Sequence, residues 1–313
     1  MRVIITGGTG MIGSALSEDL ARAGHEIIAL SRNPDKHRGD VPPGVELAAY
    51  DGKSAEGWAH LAEGADVIVN LAGESIAGEG FPPARWTAEK KRRILQSRLD
   101  VGAAVVDAVR RAASKPRLVI QSSGVDHYGW RGEEGVTEST EPGDTFLARV
   151  TIDWERSTEP VEEMGVRRCI IRSGIVLNEG SGIFPLLVMP FRFFAGGPLG
   201  SGEQYYSWIH IEDEVRAIRF LIENERCSGP YNLVSPRPVK QKTLARVIGG
   251  AMGRPSFVPA PAPVLRLMLG EQAGLVLKGQ RAIPKRLVDE GFAFKYREPE
   301  QAVKDLLGQR GDL

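Results

Sequence analysis

Apolar positions fall into short unbroken runs that alternate with stretches of helical spacing. Val3-Ile4-Ile5 is continuous and β-branched, which predicts a buried strand. Leu16, Leu20 and Ala23 then recur at helical spacing until Gly24 stops them. Residues 26–30 read as a second strand, completing a strand–helix–strand unit of about the expected ~30 residues. Further strands are predicted at 45–50, at 66–73 (leading into a small-residue turn), at 118–121 and at 168–171. Between the fourth and fifth, Ile94, Val101, Val105 and Val109 form the buried stripe of a long helix, with Thr87 as its N-cap. A Gly- and Pro-rich loop, residues 78–83, precedes it. Such alternation predicts an α/β protein with a doubly wound parallel sheet.

Beyond residue 175 the pattern changes. Residues 184–194 are apolar and aromatic, and 196–202 make a flexible glycine turn, which together suit a lid over a cleft. Residues 207–213 open a further strand and helix. The four prolines of 255–263 read as an extended crossing loop, and a last helix is expected at 299–307.

Composition adds limits. A chain of 313 residues suits about two domains on the usual ~150-residue prior. Lys plus Arg and Asp plus Glu both total 40, so bulk binding to nucleic acid or a membrane surface is not expected. Cys169 and Cys227 follow no metal spacing and make no disulfide framework, and no metal is expected. The N-terminus lacks a signal-peptide pattern and no apolar run nears the ~18 residues of a membrane span. A cytoplasmic protein is expected.

The chemistry concentrates at strand ends. Gly7, Gly10 and Gly13 turn the first strand into its helix through Gly7-Gly8-Thr9-Gly10-Met11-Ile12-Gly13. The first glycine permits the tight turn, the second lets bare backbone approach a diphosphate, and the third lets helix pack on strand. The free N–H groups of the helix start would face that anion. Where a dinucleotide fold often places an acid for the ribose 2′-hydroxyl, this chain has Ser31-Arg32. A hydroxyl and a guanidinium suit a 2′-phosphate, hence NADP(H) over NAD, although Arg32 also reads as a solvated loop cation. Asp51 follows the third strand, where the adenine edge would lie. Leu71, Ala72 and Gly73 would let the cofactor pass over the fourth strand. Glu74 is either a ligand contact or an exposed loop carboxylate. The run Lys90-Lys91-Arg92-Arg93 reads mainly as a solvated face. The fifth strand ends in Ser122-Ser123-Gly124-Val125-Asp126-His127-Tyr128-Gly129, at the catalytic edge of such a sheet, where Ser and Asp can also be simple turn formers. His210 reads either as a ligand contact or as structural. Trp86, Trp130, Tyr205, Tyr206 and Trp208 suit a planar-ligand pocket or core.

Taken jointly, several motifs resemble the extended short-chain dehydrogenase/reductases, the nucleotide-sugar epimerase/dehydratase group. These are the glycine turn, Asn70-Leu71-Ala72-Gly73, Tyr128-Gly129 and Trp208-Ile209-His210-Ile211-Glu212-Asp213. Asn70 to Ile76, Phe146 to Val150 with Asp153-Trp154-Glu155, Gly196 to Gly202 and Pro284 to Leu287 are similar to an atypical subgroup called "epimerase family protein", which carries a C-terminal domain of unknown function. The resemblance implies a Rossmann domain over 1–175, with 207–235 returning to it, and a smaller α+β substrate-side domain over 176–313. It also implies NADP(H) on Gly7, Gly10, Gly13, Ser31 and Arg32, and a small-molecule substrate of nucleotide-sugar-like type. A homodimer is the base-rate assembly. The group's Tyr-x-x-x-Lys pair is absent, because Leu147 and Thr151 stand at its positions and Gly124 stands where a catalytic Ser or Thr is expected. Three readings follow: an oxidoreductase or epimerase-like enzyme using Ser123, His127 and Tyr128, a non-catalytic NADPH-binding sensor, or a structural descendant without cofactor, which the intact glycine turn disfavours. In the first, His127 would be the proton carrier near neutral pH.

Overall fold

Seven strands form one sheet: β1 (Arg2–Thr6), β2 (Glu26–Ser31), β3 (Val45–Ala49), β4 (Val67–Asn70), β5 (Leu118–Gly124), β6 (Arg167–Ser173) and β7 (Gly229–Leu233). They lie in the order β3-β2-β1-β4-β5-β6-β7 and every neighbouring pair is parallel. The structure is a computed structural model that describes residues 1–39, 41–78 and 85–308. Apart from Gly78, the expected loop at 78–83 lies outside the described residues.

Alternation along each strand explains the unbroken apolar runs. Val3 and Ile5 face one core, with Leu16 and Leu20 of α1 (Met11–Arg22) and with Ile218 and Leu221 of the later helix Ile211–Glu223. Ile4 faces the opposite core, with Ile28, Ile68, Trp58 and the Val101, Val105 and Val109 stripe of α2 (Ala88–Arg111). Helices cover both sheet faces, so neither face needs polar residues. Thr87 caps α2 by accepting from Lys90 N at 3.1 Å. A third helix, α3 (Phe146–Ser157), packs so close to α2 that a Cβ at Gly102 would collide with Ser157 Oγ.

A third apolar core lies outside the sheet. It joins α4 (Phe184–Arg192), α6 (Gln241–Met252) and α8 (Pro299–Leu306); the helix Ile211–Glu223 (α5) belongs to the sheet core and α7 (Ala262–Leu269) buries no residue fully. Its centre is Phe184, Val188, Phe191, Tyr206, Trp208, Leu244, Ile248, Val303 and Leu306. Trp208–His210 pairs with Ile175–Leu177 here rather than joining the main sheet.

Several boundaries differ from expectation for physical reasons. Strand β4 stops at Asn70: Leu71 N–H is shared between the Thr6 carbonyl and the Thr6 hydroxyl, at 3.2 Å each, and Ala72 N–H donates to that hydroxyl at 3.2 Å instead of continuing the ladder. Strand β5 runs on to Gly124, which pairs with Ser173. The 196–202 segment is pinned rather than free: Val258 N donates to Gly196 O at 3.1 Å and Gly200 N to Ala260 O at 2.9 Å. The basic run at the start of α2 is engaged, with Lys90 on Glu74, Lys91 on Glu271 and Arg93 on Glu89.

Candidate functional site

The chain travels outward from β1 to β3 and then crosses back to β4, so strand order reverses between β1 and β4. A crevice opens at the carboxyl ends of strands at such a switch point. Here it is a cleft of about 330 Å³, lined by Gly7, Thr9 and Gly10, by Ser31, Arg32 and His37, and by Tyr50, Gly52, Leu71, Ala72, Gly73, Glu74, Ser97 and Val101.

Each glycine of the cradle has a measurable reason. Gly7 sits at φ +68°, in the left-handed region. A Cβ at Gly8 would lie 2.5 Å from Ala29 Cβ, and one at Gly13 would strike the Gly7 carbonyl and sit 2.8 Å from Gly8 Cα. A Cβ at Gly10 would meet only Gly7 O, at 3.2 Å, so its other side is open for a ligand. Helix α1 starts with no side-chain cap and no acid in its first turn, leaving its first N–H groups free for an anion. Met11 and Ile12 offer only backbone there, since their side chains pack on the core. Below the cleft a buried ladder fixes the floor. Thr6 Oγ1 donates to Asn70 Oδ1 at 2.7 Å, and Asn70 Nδ2 donates to Gln121 Oε1 at 2.9 Å.

At the far end, Ser31 is buried and Arg32 is exposed, with the Arg32 stem laid over Gly52. Asp51 does not line the cleft. Its carboxylate accepts from Lys53 N (2.7 Å), Ser54 N (2.8 Å) and Ser54 Oγ (2.8 Å), which hold it below the usual carboxylate range. Tyr50 and Gly52 take its expected place. Glu74 does line the cleft and pairs with Lys90 at 2.7 Å; that hydrogen bond, against partial burial, keeps it ionised. Sequence reasoning missed His37, Tyr50, Gly52 and Ser97 at the cleft, and its helical spacing marked Val101 only as part of the α2 stripe.

The three proposed catalytic residues meet, but in a buried ionic network. Arg172 grips Glu155 with two hydrogen bonds of 2.9 Å. Ser123 Oγ donates to Glu155 Oε1 at 2.6 Å, and His127 Nδ1 lies 3.4 Å from the same oxygen. Tyr128 donates to Asn232 Oδ1 at 2.6 Å and accepts from Arg172 at 3.0 Å. Burial would push Glu155 up, yet the Arg172 hydrogen bonds and charge hold it below its ordinary range. Burial takes His127 down to about 4, with Glu155 opposing and Arg172 assisting. That favours the neutral ring and sets the environment of the proton-carrier candidate well apart from that of an exposed histidine. Burial likewise raises the Tyr128 phenol, which is fully enclosed.

Asp126, passed over as a turn former, differs from these. It stands half-buried just past β5, its Oδ2 3.6 Å from where a Gly124 Cβ would sit. Burial raises its carboxyl to about 6, with Arg98 opposing. Arg98 bonds the Glu74 and Ile94 carbonyls (3.1 and 2.8 Å) and lies against Gly73, which links this edge to the cleft.

His210 is structural: its Nδ1 accepts from Glu212 N at 3.1 Å and its ring stacks on Tyr296 at 3.8 Å. None of the five singled-out aromatics lines the cleft; Tyr206 and Trp208 are core, and Trp130 is 54% exposed. A larger chamber of about 690 Å³ lies beside the cleft, between α4, α6 and α7. Among the described residues no cluster of His, Cys, Asp or Glu could hold a metal, and no helix is long and apolar enough to cross a membrane.

A parallel sheet in this order with a glycine cradle at its switch point defines a Rossmann-type nucleotide-binding protein. Residues 3–233 match the model of the NAD dependent epimerase/dehydratase family, and residues 260–306 match a domain of unknown function, DUF1731. The chain belongs to the NAD-dependent epimerase/dehydratase family, within the atypical "epimerase family protein" group that its motifs resemble. Epimerase family protein YfhF of Bacillus subtilis (strain 168) is 37% identical over 311 residues, 99% of each chain. The crystal structure of human epimerase family protein SDR39U1 (isoform 2) with NADPH is 31% identical, covers 98% of this chain and 99% of that one, and superposes with a TM-score of 0.85. The UDP-glucose 4-epimerase of Thermus thermophilus, solved with NAD, covers 98% of this chain and 99% of its own with a TM-score of 0.75; at 19% identity it speaks for the fold alone.

Proposed function

We propose that this chain is an NADP(H)-dependent oxidoreductase that uses Asp126 in place of the Tyr-x-x-x-Lys pair. The observation that carries the cofactor is the pairing of an open glycine cradle with Ser31 and Arg32 at the opposite end of one cleft. The cradle N–H groups would hold the diphosphate, and Ser31 and Arg32 the 2′-phosphate. The human relative solved with NADPH supports the same choice. A bound nicotinamide supplies hydride transfer. The Thr6–Asn70–Gln121 ladder keeps Leu71, Ala72 and Gly73 in place beneath it. The Glu155–Arg172 pair, through Ser123 and Tyr128, sets the turn that carries Asp126. Asp126 then holds a proton in a range where it can be given and regained.

The test is NADPH consumption against a panel of carbonyl compounds and sugar nucleotides. The expected rate falls as pH rises through about 6, because the proton donor is then emptied. Asp126→Asn removes that limb and lowers the rate ~10²–10⁴-fold. An unchanged rate in Asp126→Asn would dismiss its role. A second reading, a nicotinamide binder without turnover, is favoured by Leu147 and Thr151, both buried where the acid–base pair would stand. Tight NADPH binding with no consumption across the panel would select it.

A further inference from the structure

We infer that the chamber beside the dinucleotide cleft receives a neutral, largely apolar substrate and not a nucleotide sugar. This rests on the oxidoreductase reading above and narrows its substrate. The chamber, about 690 Å³, lies within the ~300–1,000 Å³ range of small-molecule sites. Leu187 and Phe191 of α4, Leu244 and Ile248 of α6, and Leu265 and Val276 form its walls. No Asp, Glu, Lys, Arg or His is among the described residues that line it. Its polar side chains are Ser75, Ser181, Gln241 and Gln272, all uncharged, and each makes at least one hydrogen bond within the protein. Gln241 Oε1 accepts from Leu199 N at 2.8 Å, Gln272 donates to Ile76 O at 3.3 Å, Ser181 accepts from Asn178 at 2.8 Å and Ser75 donates to Gly78 O at 3.3 Å.

A nucleoside diphosphate brings ionised oxygens that need cations or aligned N–H donors, and burying them against these walls would leave them unpaired. A neutral ligand, such as an aliphatic or aromatic aldehyde or ketone, meets no such penalty. The chamber also abuts the cofactor cleft. Ser75 on its wall follows Glu74 of the cleft, and Gly182 on its wall lies against Met11, the first residue of α1 (a Cβ there would be 3.0 Å from the Met11 sulfur). Its rim is apolar too: Leu186 is 37% exposed and Met268 47%.

The experiment titrates Nile red, a neutral apolar dye, into the full-length protein with NADPH present, and then adds UDP-glucose. Saturable dye binding that UDP-glucose leaves intact is expected. Leu186→Lys and, separately, Met268→Lys sit at exposed rim positions that folding does not need. Each should weaken the dye by about tenfold or more by setting a charge against apolar wall, with NADPH affinity by calorimetry unchanged. No saturable dye binding, displacement by UDP-glucose, or parental dye affinity in both variants would overturn the inference. Absence of NADPH heat on the same sample would instead overturn the cofactor reading, so the two failures are separable.

Discussion

The dinucleotide cleft and the chamber beside it are made of opposite materials. The cleft presents backbone N–H groups, hydroxyls and the charges of Arg32 and Glu74, whereas the described walls of the chamber carry no ionised side chain. They also differ in how they are built. The cleft comes mainly from the ends of four neighbouring strands, β1 to β4, which one sheet holds in register, with Ser97 and Val101 added from α2. The chamber comes from helices α4, α6 and α7 and the segments between them, which no common sheet joins. A polar, rigid ligand is handled by backbone geometry, and an apolar one by the sum of side chains that close around it.

That division holds only if the charged network at the ends of β5 and β6 is scaffold, serving neither cavity directly. Arg172→Ala leaves Glu155 buried without its partner, and a loss of about 3–5 kcal/mol in urea unfolding is expected. Glu155→Gln in that background should return part of it. Unchanged stability with weakened NADPH binding would place the network in the cofactor site instead. Gly13→Ala is expected to lower NADPH affinity about a hundredfold, since the new Cβ meets the Gly7 carbonyl and displaces the cradle. Nile red binding in the chamber should survive it, and joint loss of both ligands would dissolve the distinction. Arg32→Ala should weaken NADPH by roughly ten- to a hundredfold and NADH hardly at all, as one charge-assisted hydrogen bond is worth ~1.5–3 kcal/mol. Equal losses would make Arg32 a general surface cation. Smallest of all, Asp51→Ala should leave NADPH affinity within about twofold, because its carboxylate serves its own turn and the change falls outside the cleft.

What could be read from the sequence follows the same line. Gly7, Gly8 and Gly13 were legible because a left-handed turn and a tight strand–helix approach leave no other residue a place, and Gly10 because its open side belongs to the same spaced turn. The α2 stripe and its Thr87 cap were legible because helical period and capping are local. Strand β7 was hidden: Gly-Pro-Tyr-Asn-Leu has no apolar run, and its Pro230 is tolerated because the strand lies at the sheet edge. The pairing of Glu155 with Arg172 was hidden too: Glu155 stood out only within the Asp153-Trp154-Glu155 motif, and two charges 17 residues apart look solvated until the fold buries them face to face. Asp51 shows the limit of position alone, as it follows β3 beside the cleft while its carboxylate is bonded to Lys53 N and Ser54 N. The chamber left no motif at all, because Leu, Phe and Ile at its wall are ordinary helix-face residues in sequence.

The central claim, that Ser31 and Arg32 make this cleft an NADP(H) site, is tested most directly by calorimetric titration of the native protein with NADPH and with NADH. NADPH should bind tighter by about tenfold or more, the worth of one charge-assisted contact to the 2′-phosphate. Equal affinity for the two, or no heat with either, would contradict it.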